Sequence, residues 1–206
     1  MGIVTRVTPD IHAYAAYSLF IQSVYASINN YALLPLYPDD LTTPDFKYHR
    51  KLVPLLNALN STKLGHHFDY VVWMDADVIP LDLDLRFESI ASMHPKAHVL
   101  MSADVSSVAN TGVIIVRNTP WAIKFLSIWL AEESLVSTDQ QGLQIVLKRI
   151  MNIKDKNKIV ILPPSVLNSE APPMGRQLNS HKILHLAAES IGMCFSNMLY
   201  YVLLAS

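Results

Sequence analysis

The stretch Val71-Val72-Trp73-Met74-Asp75-Ala76-Asp77-Val78-Ile79-Pro80 decides the fold, because an apolar run ends there in two carboxylates. Residues 68–74 combine aromatic and β-branched side chains over the length of one strand. Apolar residues occupy successive positions of this run, which predicts a central strand covered on both faces. Asp75 and Asp77 would then lie at the carboxyl end of a buried strand.

Two carboxylates at this place are costly to keep charged. Burial without a partner disfavours the charged form, and two like charges this close raise each other's pKa. A hard divalent cation such as Mn²⁺ or Mg²⁺ relieves both effects, because it takes oxygen ligands and leaves positions for water and diphosphate oxygens. The turn therefore predicts a metal site at Asp75 and Asp77. The alternative is a polar turn whose aspartates cap the next segment or face solvent.

Strands and helices alternate along the rest of the chain. Further strands are predicted at 3–7, 31–37, 97–102, 112–116, 159–162 and 183–186, and helices at 11–30, 48–59, 120–133 and 140–150. This order favours an α/β fold, a three-layer α/β/α sandwich around a mostly parallel central sheet. In such sheets, ligands bind at the carboxyl ends of the strands. In the first helix, the spacing predicts that one face packs into the core: Tyr14, Tyr17, Ser18, Ile21, Val24, Tyr25.

The composition is that of one packed domain. Of the 206 residues, 51% are hydrophobic and 16% are charged, so a single domain over 1–206 is expected, with a core at 3–190 and an apolar tail at 191–206. The net charge of -1 predicts no attraction to nucleic acid or to an anionic membrane surface. We find no signal peptide, and no apolar stretch approaches the ~20 residues that span a bilayer.

Short blocks around the central motif resemble those of GT-A nucleotide-diphospho-sugar transferases, in the same order. The chain is most similar to the galactosyl/mannosyl/xylosyltransferase family, which includes yeast α-galactosyltransferases and plant xyloglucan xylosyltransferases. The resemblance covers residues 3–189 and implies the GT-A (Rossmann-like) fold. The blocks that carry it are 14–19, 51–56, 70–80 with the DxD motif, 110–113, 117–121, 139–140, 168–169 and 185–188.

The resemblance implies a metal-dependent glycosyltransferase with three protein ligands. Asp77 would bind the metal directly, and Asp75 would share it or hold the ribose of the donor. His185 matches the family's third ligand, near the end of the domain. An imidazole ligand suits Mn²⁺ better than Mg²⁺, so Mn²⁺ is the first expectation and Mg²⁺ the second.

The same resemblance implies a donor site built from several short segments. Thr5 would lie at the nucleotide end of the first strand, and Ala76 would lie within the DxD motif against the donor. Lys51 could neutralise the diphosphate through a charge-assisted contact. Asn110 and Gly112 would meet the sugar, since an amide side chain hydrogen-bonds and glycine permits close approach of the backbone.

Two assignments that the resemblance implies, those of Asp139 and Lys51, have simpler alternatives in the sequence. Asp139 and Gln140 would lie beside the anomeric carbon as the catalytic pair of a retaining reaction, but Asp139 could simply cap the helix that starts there. Lys51 could be a solvated helix lysine, and Arg50 or Lys47 could neutralise the diphosphate in its place.

The expected partners are a UDP- or GDP-sugar donor and a glycan or glycoprotein acceptor, and the family resides in the Golgi lumen. The family's N-terminal membrane anchor is absent from this chain, and Ala188 stands where the family commonly has glycine. A sugar-nucleotide-binding domain without transfer activity is therefore one alternative. Another is a haloacid-dehalogenase-type phosphatase with Asp75 as nucleophile, although that fold carries the motif on its first strand and not on the third.

Overall fold

The computed structural model describes residues 1–7, 11–36, 51–60, 67–104, 109–133, 136, 138–150, 155, 157–170 and 182–185. These residues form nine strands: β1 (Gly2–Arg6), β2 (Ala32–Leu36), β3 (Tyr70–Met74), β4 (Val78–Pro80), β5 (Val99–Ser102), β6 (Val113–Arg117), β7 (Ile159–Leu162), β8 (Ser169–Glu170), β9 (Ile183–His185). They also form six helices: α1 (His12–Asn29), α2 (Leu52–Asn60), α3 (Phe87–Met93), α4 (Pro120–Glu133), α5 (Asp139–Ile150), α6 (Pro164–Leu167).

Every predicted strand and helix is present, with ends shifted by a few residues. Four short elements were not predicted, namely β4, α3, α6 and β8. Residues 47–50, Ala188 and the apolar tail at 191–206 lie outside the described residues.

Six strands form the main sheet in the order β2-β1-β3-β6-β5-β7. Strand β6 runs antiparallel to both of its neighbours, while β1 is parallel to β2 and β3, and β5 is parallel to β7. The predicted mostly parallel sheet is therefore confirmed. The carboxyl end of β3 lies beside the start of β6, because the pairing opposes Met74 to Val113.

Helices cover both faces of this sheet, which confirms the three-layer arrangement. Val71 and Trp73 of β3 face one apolar cluster, which contains buried residues of α2, α4 and α5. Val72 and Met74 face the other, which contains buried residues of α1, α3 and α6. A strand that is apolar at successive positions is what burial on both faces requires.

The buried face of α1 is shifted from the predicted one, since Ser18 and Tyr25 are buried as expected but Tyr17 is not. Tyr17, which the spacing placed in the core, has 44% of its surface exposed. The buried stripe mixes apolar and polar side chains: Ala15, Ser18, Gln22, Tyr25, Ala26, Asn29. Ser18 and Gln22 can be buried because their side chains donate to backbone carbonyls of residues 75–78.

A second, three-stranded sheet in the order β4-β9-β8 lies directly after the central motif. Its antiparallel pairing opposes Val78 to His185, so the strand that follows Asp77 lies beside the end of β9. Strand β8 pairs in parallel with β9 on the other side. This small sheet brings residues about 110 positions apart in the chain to the carboxyl end of β3.

Candidate metal centre

Three predicted metal ligands meet at the carboxyl end of β3. Asp75, Asp77 and His185 each offer a ligand atom, and these atoms lie within 4.8 Å of one another. Nε2 of His185 is 3.4 Å from Oδ1 of Asp77 and 3.8 Å from Oδ2 of Asp75. Two carboxylates and an imidazole around one point form a donor set suited to a divalent transition metal such as Mn²⁺.

The imidazole of His185 is held by a hydrogen bond on its other nitrogen. Nδ1 lies 2.8 Å from Oδ1 of Asn168, the residue just before β8. A side-chain carbonyl oxygen can only accept, so Nδ1 carries the proton and, in a neutral ring, Nε2 presents a lone pair to the two aspartates. Metal-binding histidines are commonly oriented by a hydrogen bond of this kind.

The absence of a side chain at Gly112 leaves the space that the imidazole of His185 occupies. A Cβ added at this position would lie 2.3 Å from Cε1 of His185 and 2.6 Å from its Nδ1, far inside van der Waals contact. The backbone of Gly112 is itself fixed, since its N–H donates to Oδ1 of Asn110 and its carbonyl accepts from the N–H of Asp75. Glycine at 112 therefore serves close approach to His185.

Replacing Asn168 by leucine should weaken Mn²⁺ binding about tenfold, because partners of a metal-binding histidine typically contribute 10–100-fold to affinity. Asn168→Asp is the matched control. Both variants lose the donation from Asn168 Nδ2 to the carbonyl of Ala103, but aspartate keeps an acceptor for Nδ1 of His185. Calorimetric titration with Mn²⁺ measures the effect. Equal affinity in the leucine and aspartate variants would contradict this role.

Lys51 is buried behind the aspartates and bridges two of the carboxylates in the site. Its Nζ is 3.1 Å from Oδ1 of Asp75, 2.9 Å from Oδ2 of Asp139 and 3.0 Å from the carbonyl of Thr111. The alternative of a solvated helix lysine is thus wrong. Contact between Lys51 and a diphosphate stays a prediction, and Arg50 and Lys47 lie outside the described residues.

Asp139 turns into the site although it opens α5. The hydroxyl of Thr138 accepts from the N–H of Gln141 and so caps the helix. The carboxylate of Asp139 instead accepts from Lys51 and from the hydroxyl of Thr111. Its side chain therefore belongs to the charged cluster at the end of β3, and its place beside the anomeric carbon stays a prediction.

Burial and charge act against each other throughout this cluster. Burial raises the pKa of Asp75, and the neighbouring Asp77 raises it further, while Lys51 opposes both. For Asp77 and His185 the mutual attraction outweighs burial, so the pKa of Asp77 is lowered and that of His185 is raised. Burial alone would raise the pKa of Asp139, but Lys51 and Thr111 hold it below its usual value. A divalent cation would relieve the carboxylates that Lys51 leaves uncompensated.

The other predicted site residues lie around this cluster. Thr5 is fully buried near the end of β1, and its hydroxyl has no hydrogen-bond partner within the described ranges. Ala76 is buried against Val7 and Ala15, so its side chain faces α1. Gln140 is half-buried in the first turn of α5. Their contacts with a donor or acceptor stay predictions.

Several contacts that shape the site were not predicted from the sequence. The indole of Trp73 donates to Oδ1 of Asp75, and Thr111 contacts both Lys51 and Asp139. Ser18 and Gln22 donate to the turn itself. Ser18 and Gln22 could have been noticed because they are polar residues on the face of a helix that packs into the core, where a polar side chain needs a partner.

Within the part of the chain that the structure describes, no helix has both the length and the apolar character needed to cross a membrane.

Comparison with known proteins places this architecture among glycosyltransferases. No family model matches the chain. Two curated relatives, each named probable glycosyltransferase 7, from the indica and japonica subspecies of Oryza sativa, are 25% identical over 114 residues. The match spans 52% of this chain but only 24% of the length of those relatives.

Solved structures resemble the chain over nearly its whole length. A glycosyltransferase involved in glycosylation of the major capsid of PBCV-1 superposes with a TM-score of 0.77 at 15% identity, covering 97% of this chain and 98% of that one. The galactosyltransferase LgtC, solved with donor and acceptor sugar analogs, has a TM-score of 0.58 at 14% identity, covering 100% and 95%. The fold of this chain is therefore the GT-A fold of nucleotide-diphospho-sugar transferases.

Proposed function

We propose that this protein is a metal-dependent glycosyltransferase that moves a hexose or pentose from a nucleotide-diphospho-sugar to a glycan or glycoprotein. The observation that carries the proposal is the meeting of Asp75, Asp77 and His185 at the carboxyl end of β3. Ligands bind at this end of the strands in parallel α/β sheets. This group of three side chains lies on a fold that the chain shares with known glycosyltransferases.

In this proposal the three ligands hold Mn²⁺, or Mg²⁺ as the second choice. The metal supplies charge stabilisation for the nucleoside diphosphate as it leaves. Asp77 and His185 act as direct ligands, and Asp75 shares the metal or binds the donor ribose. Lys51 favours the charged form of Asp75 from 3.1 Å, against burial and the neighbouring Asp77, and it holds the carboxylate of Asp139 at 2.9 Å.

The remaining predicted residues complete the donor site. Thr5 and Ala76 lie on the nucleotide side, and Asn110 and Gly112 lie at the sugar. Asp139 and Gln140 stand beside the anomeric carbon, with retention of its configuration. UDP- or GDP-sugars as donors and the Golgi lumen as location are part of the proposal, supported by the family resemblance of the sequence blocks.

A thermal-shift panel of UDP- and GDP-sugars, with and without Mn²⁺, tests donor binding. A ligand at about 100 times its dissociation constant stabilises the folded state by about 2.7 kcal/mol. For a chain of this size, that corresponds to a rise in melting temperature of about 5–10 °C. We expect this shift for one class of nucleotide, and only when Mn²⁺ is present. No shift with any nucleotide-sugar and metal would refute the proposed donor site.

Release of free nucleoside diphosphate separates a transferase from a binding domain. An active transferase releases it faster when an acceptor glycan is added, whereas a domain that only binds sugar nucleotides gives the thermal shift without release. The phosphatase alternative has lost its basis, because the fold is that of glycosyltransferases over 97% of the chain.

A further inference from the structure

We propose that Ser18 and Gln22 of α1 are positioning residues that hold the metal-binding turn, residues 75–78, in the conformation that presents Asp75 and Asp77 to His185. This inference rests on the proposed function, since it assigns a role to two residues that would never touch metal or donor. Both side chains are fully buried, and they lie four positions apart on the same face of α1.

The contacts hold three carbonyl groups of the turn. Nε2 of Gln22 donates to the carbonyl of Asp75 at 3.1 Å and to the carbonyl of Val78 at 3.0 Å. The hydroxyl of Ser18 donates to the carbonyl of Ala76, which lies between them. The turn has one internal hydrogen bond, from the N–H of Val78 to the carbonyl of Asp75. The N–H of Asp75 also donates to the carbonyl of Gly112, so the side chains of α1 supply three of these five hydrogen bonds to the backbone of the turn.

The chemistry of Gln22 favours positioning over simple packing. Both of its partners are carbonyl oxygens, so the amide must present its nitrogen to the turn. Its Oε1 is then left buried, with no hydrogen-bond partner among the described residues. A buried acceptor without a partner is unfavourable for folding. A side chain of similar volume without this acceptor would avoid that cost, but it could not hold the two carbonyls.

The backbone between these carbonyls carries the metal ligands. Asp75 and Asp77 lie on either side of Ala76, and their carboxylates approach Nε2 of His185 at 3.8 and 3.4 Å. A metal site tolerates little displacement of its ligands, and residues that orient ligands commonly contribute 10–100-fold to metal affinity. Release of the turn from α1 should thus weaken the metal site without removing any ligand.

The test compares Gln22→Met with Asn29→Leu. Asn29 is a matched control, because it is a buried amide on α1 that also donates to two backbone carbonyls, those of Tyr25 and Leu83, and neither belongs to the metal-binding turn. We expect Gln22→Met to bind Mn²⁺ about tenfold more weakly than the unaltered chain, and Asn29→Leu to bind it within twofold. Ser18→Ala, a smaller change, carries the same expectation where Gln22→Met does not fold.

A second measurement works without metal. The indole N–H of Trp73 donates to Oδ1 of Asp75, so its resonance in a ¹H–¹⁵N spectrum reports the position of that carboxylate. Gln22→Met should shift this resonance in the metal-free chain, and Asn29→Leu should leave it in place. An unmoved resonance in Gln22→Met, or an equal loss of Mn²⁺ affinity in both variants, overturns the inference. If the unaltered chain takes no Mn²⁺, the proposed metal fails, but the Trp73 resonance still decides the role of Gln22.

Discussion

Replacing Asp77 by alanine is expected to abolish Mn²⁺-dependent binding of a nucleotide-sugar. Asp77 is the carboxylate closest to Nε2 of His185, at 3.4 Å, and alanine leaves no oxygen at that position. His185 and Asp75 would remain as ligands, but Asp75 is already engaged by Lys51 and by the indole of Trp73. Calorimetric titration with Mn²⁺, followed by the donor identified in the thermal-shift panel, measures the loss.

Asp84→Ala is the matched control for this experiment. Asp84 is an exposed aspartate a few residues after β4, so its replacement changes the net charge equally without touching the site. The metal-free Asp77→Ala protein should still unfold cooperatively, which would show that the loss of binding is local. Unchanged Mn²⁺-dependent donor binding in Asp77→Ala would exclude Asp77 as a metal ligand.

The position of the candidate metal centre follows from a strong local pattern. An apolar run of strand length that ends in Asp75 and Asp77 is visible in the sequence, and the structure places both residues at the end of a strand buried on both faces. His185 could be predicted only through the order of family motifs. Its approach depends on the pairing of β9 with β4, and β4 has only three residues, too few to leave a periodic signal in the sequence.

The residues that support the ligands were harder to predict for a different reason. Lys51 was expected at the diphosphate, but its burial between Asp75 and Asp139 depends on how the residue before α2 and the first residue of α5 come together at the end of β3. Gln22 interacts with backbone carbonyl oxygens, which every residue carries. The side chains of the turn therefore do not reveal that Gln22 is its partner. Spacing identifies the ligands of a metal more readily than the side chains that hold those ligands in place.

The strongest expected effect on stability comes from Lys51→Met. Lys51 is buried against two half-buried carboxylates. Removing one partner of a buried ion pair typically costs about 3–5 kcal/mol, because a charge is left uncompensated. Methionine matches the length of the lysine stem but not its charge. We expect the free energy of unfolding, measured by urea denaturation at neutral pH, to fall by about that amount.

The pair of Lys158 with Asp155 provides the control. Their charged atoms are 2.9 Å apart, as close as Lys51 is to Asp139, but the side chain of Lys158 is 32% exposed and that of Lys51 only 8%. Lys158→Met should therefore cost only a small part of what Lys51→Met costs, since solvent screens exposed ion pairs. Equal losses of stability in Lys51→Met and Lys158→Met would mean that burial does not increase the contribution of Lys51 to the free energy of unfolding.

The difference in stability between Lys51→Met and the unaltered chain should depend on pH, and this dependence identifies the charges involved. The carboxylates of Asp75 and Asp139 outweigh burial and raise the pKa of Lys51, so its contribution to stability is complete below ~10.4 and is lost only as pH rises through the raised value. The pKa of Asp139 is lowered in the folded chain, so its contribution is complete above ~3.9 and is lost as pH falls through the lowered value. The difference between Lys51→Met and the unaltered chain should then be largest between about pH 4 and pH 10.

A second substitution shows whether Asp139 is the charge that Lys51 compensates. In Lys51→Met, only the hydrogen bonds from Thr111 and from the backbone of Gln140 still oppose burial at Asp139, so the pKa of its carboxylate rises and its charge has lost the ion-pair partner. Adding Asp139→Asn removes that charge and should restore part of the lost stability. Restored stability without restored donor binding would separate the two roles of this cluster, because folding needs the charges to balance while the proposed reaction needs the carboxylate of Asp139 itself.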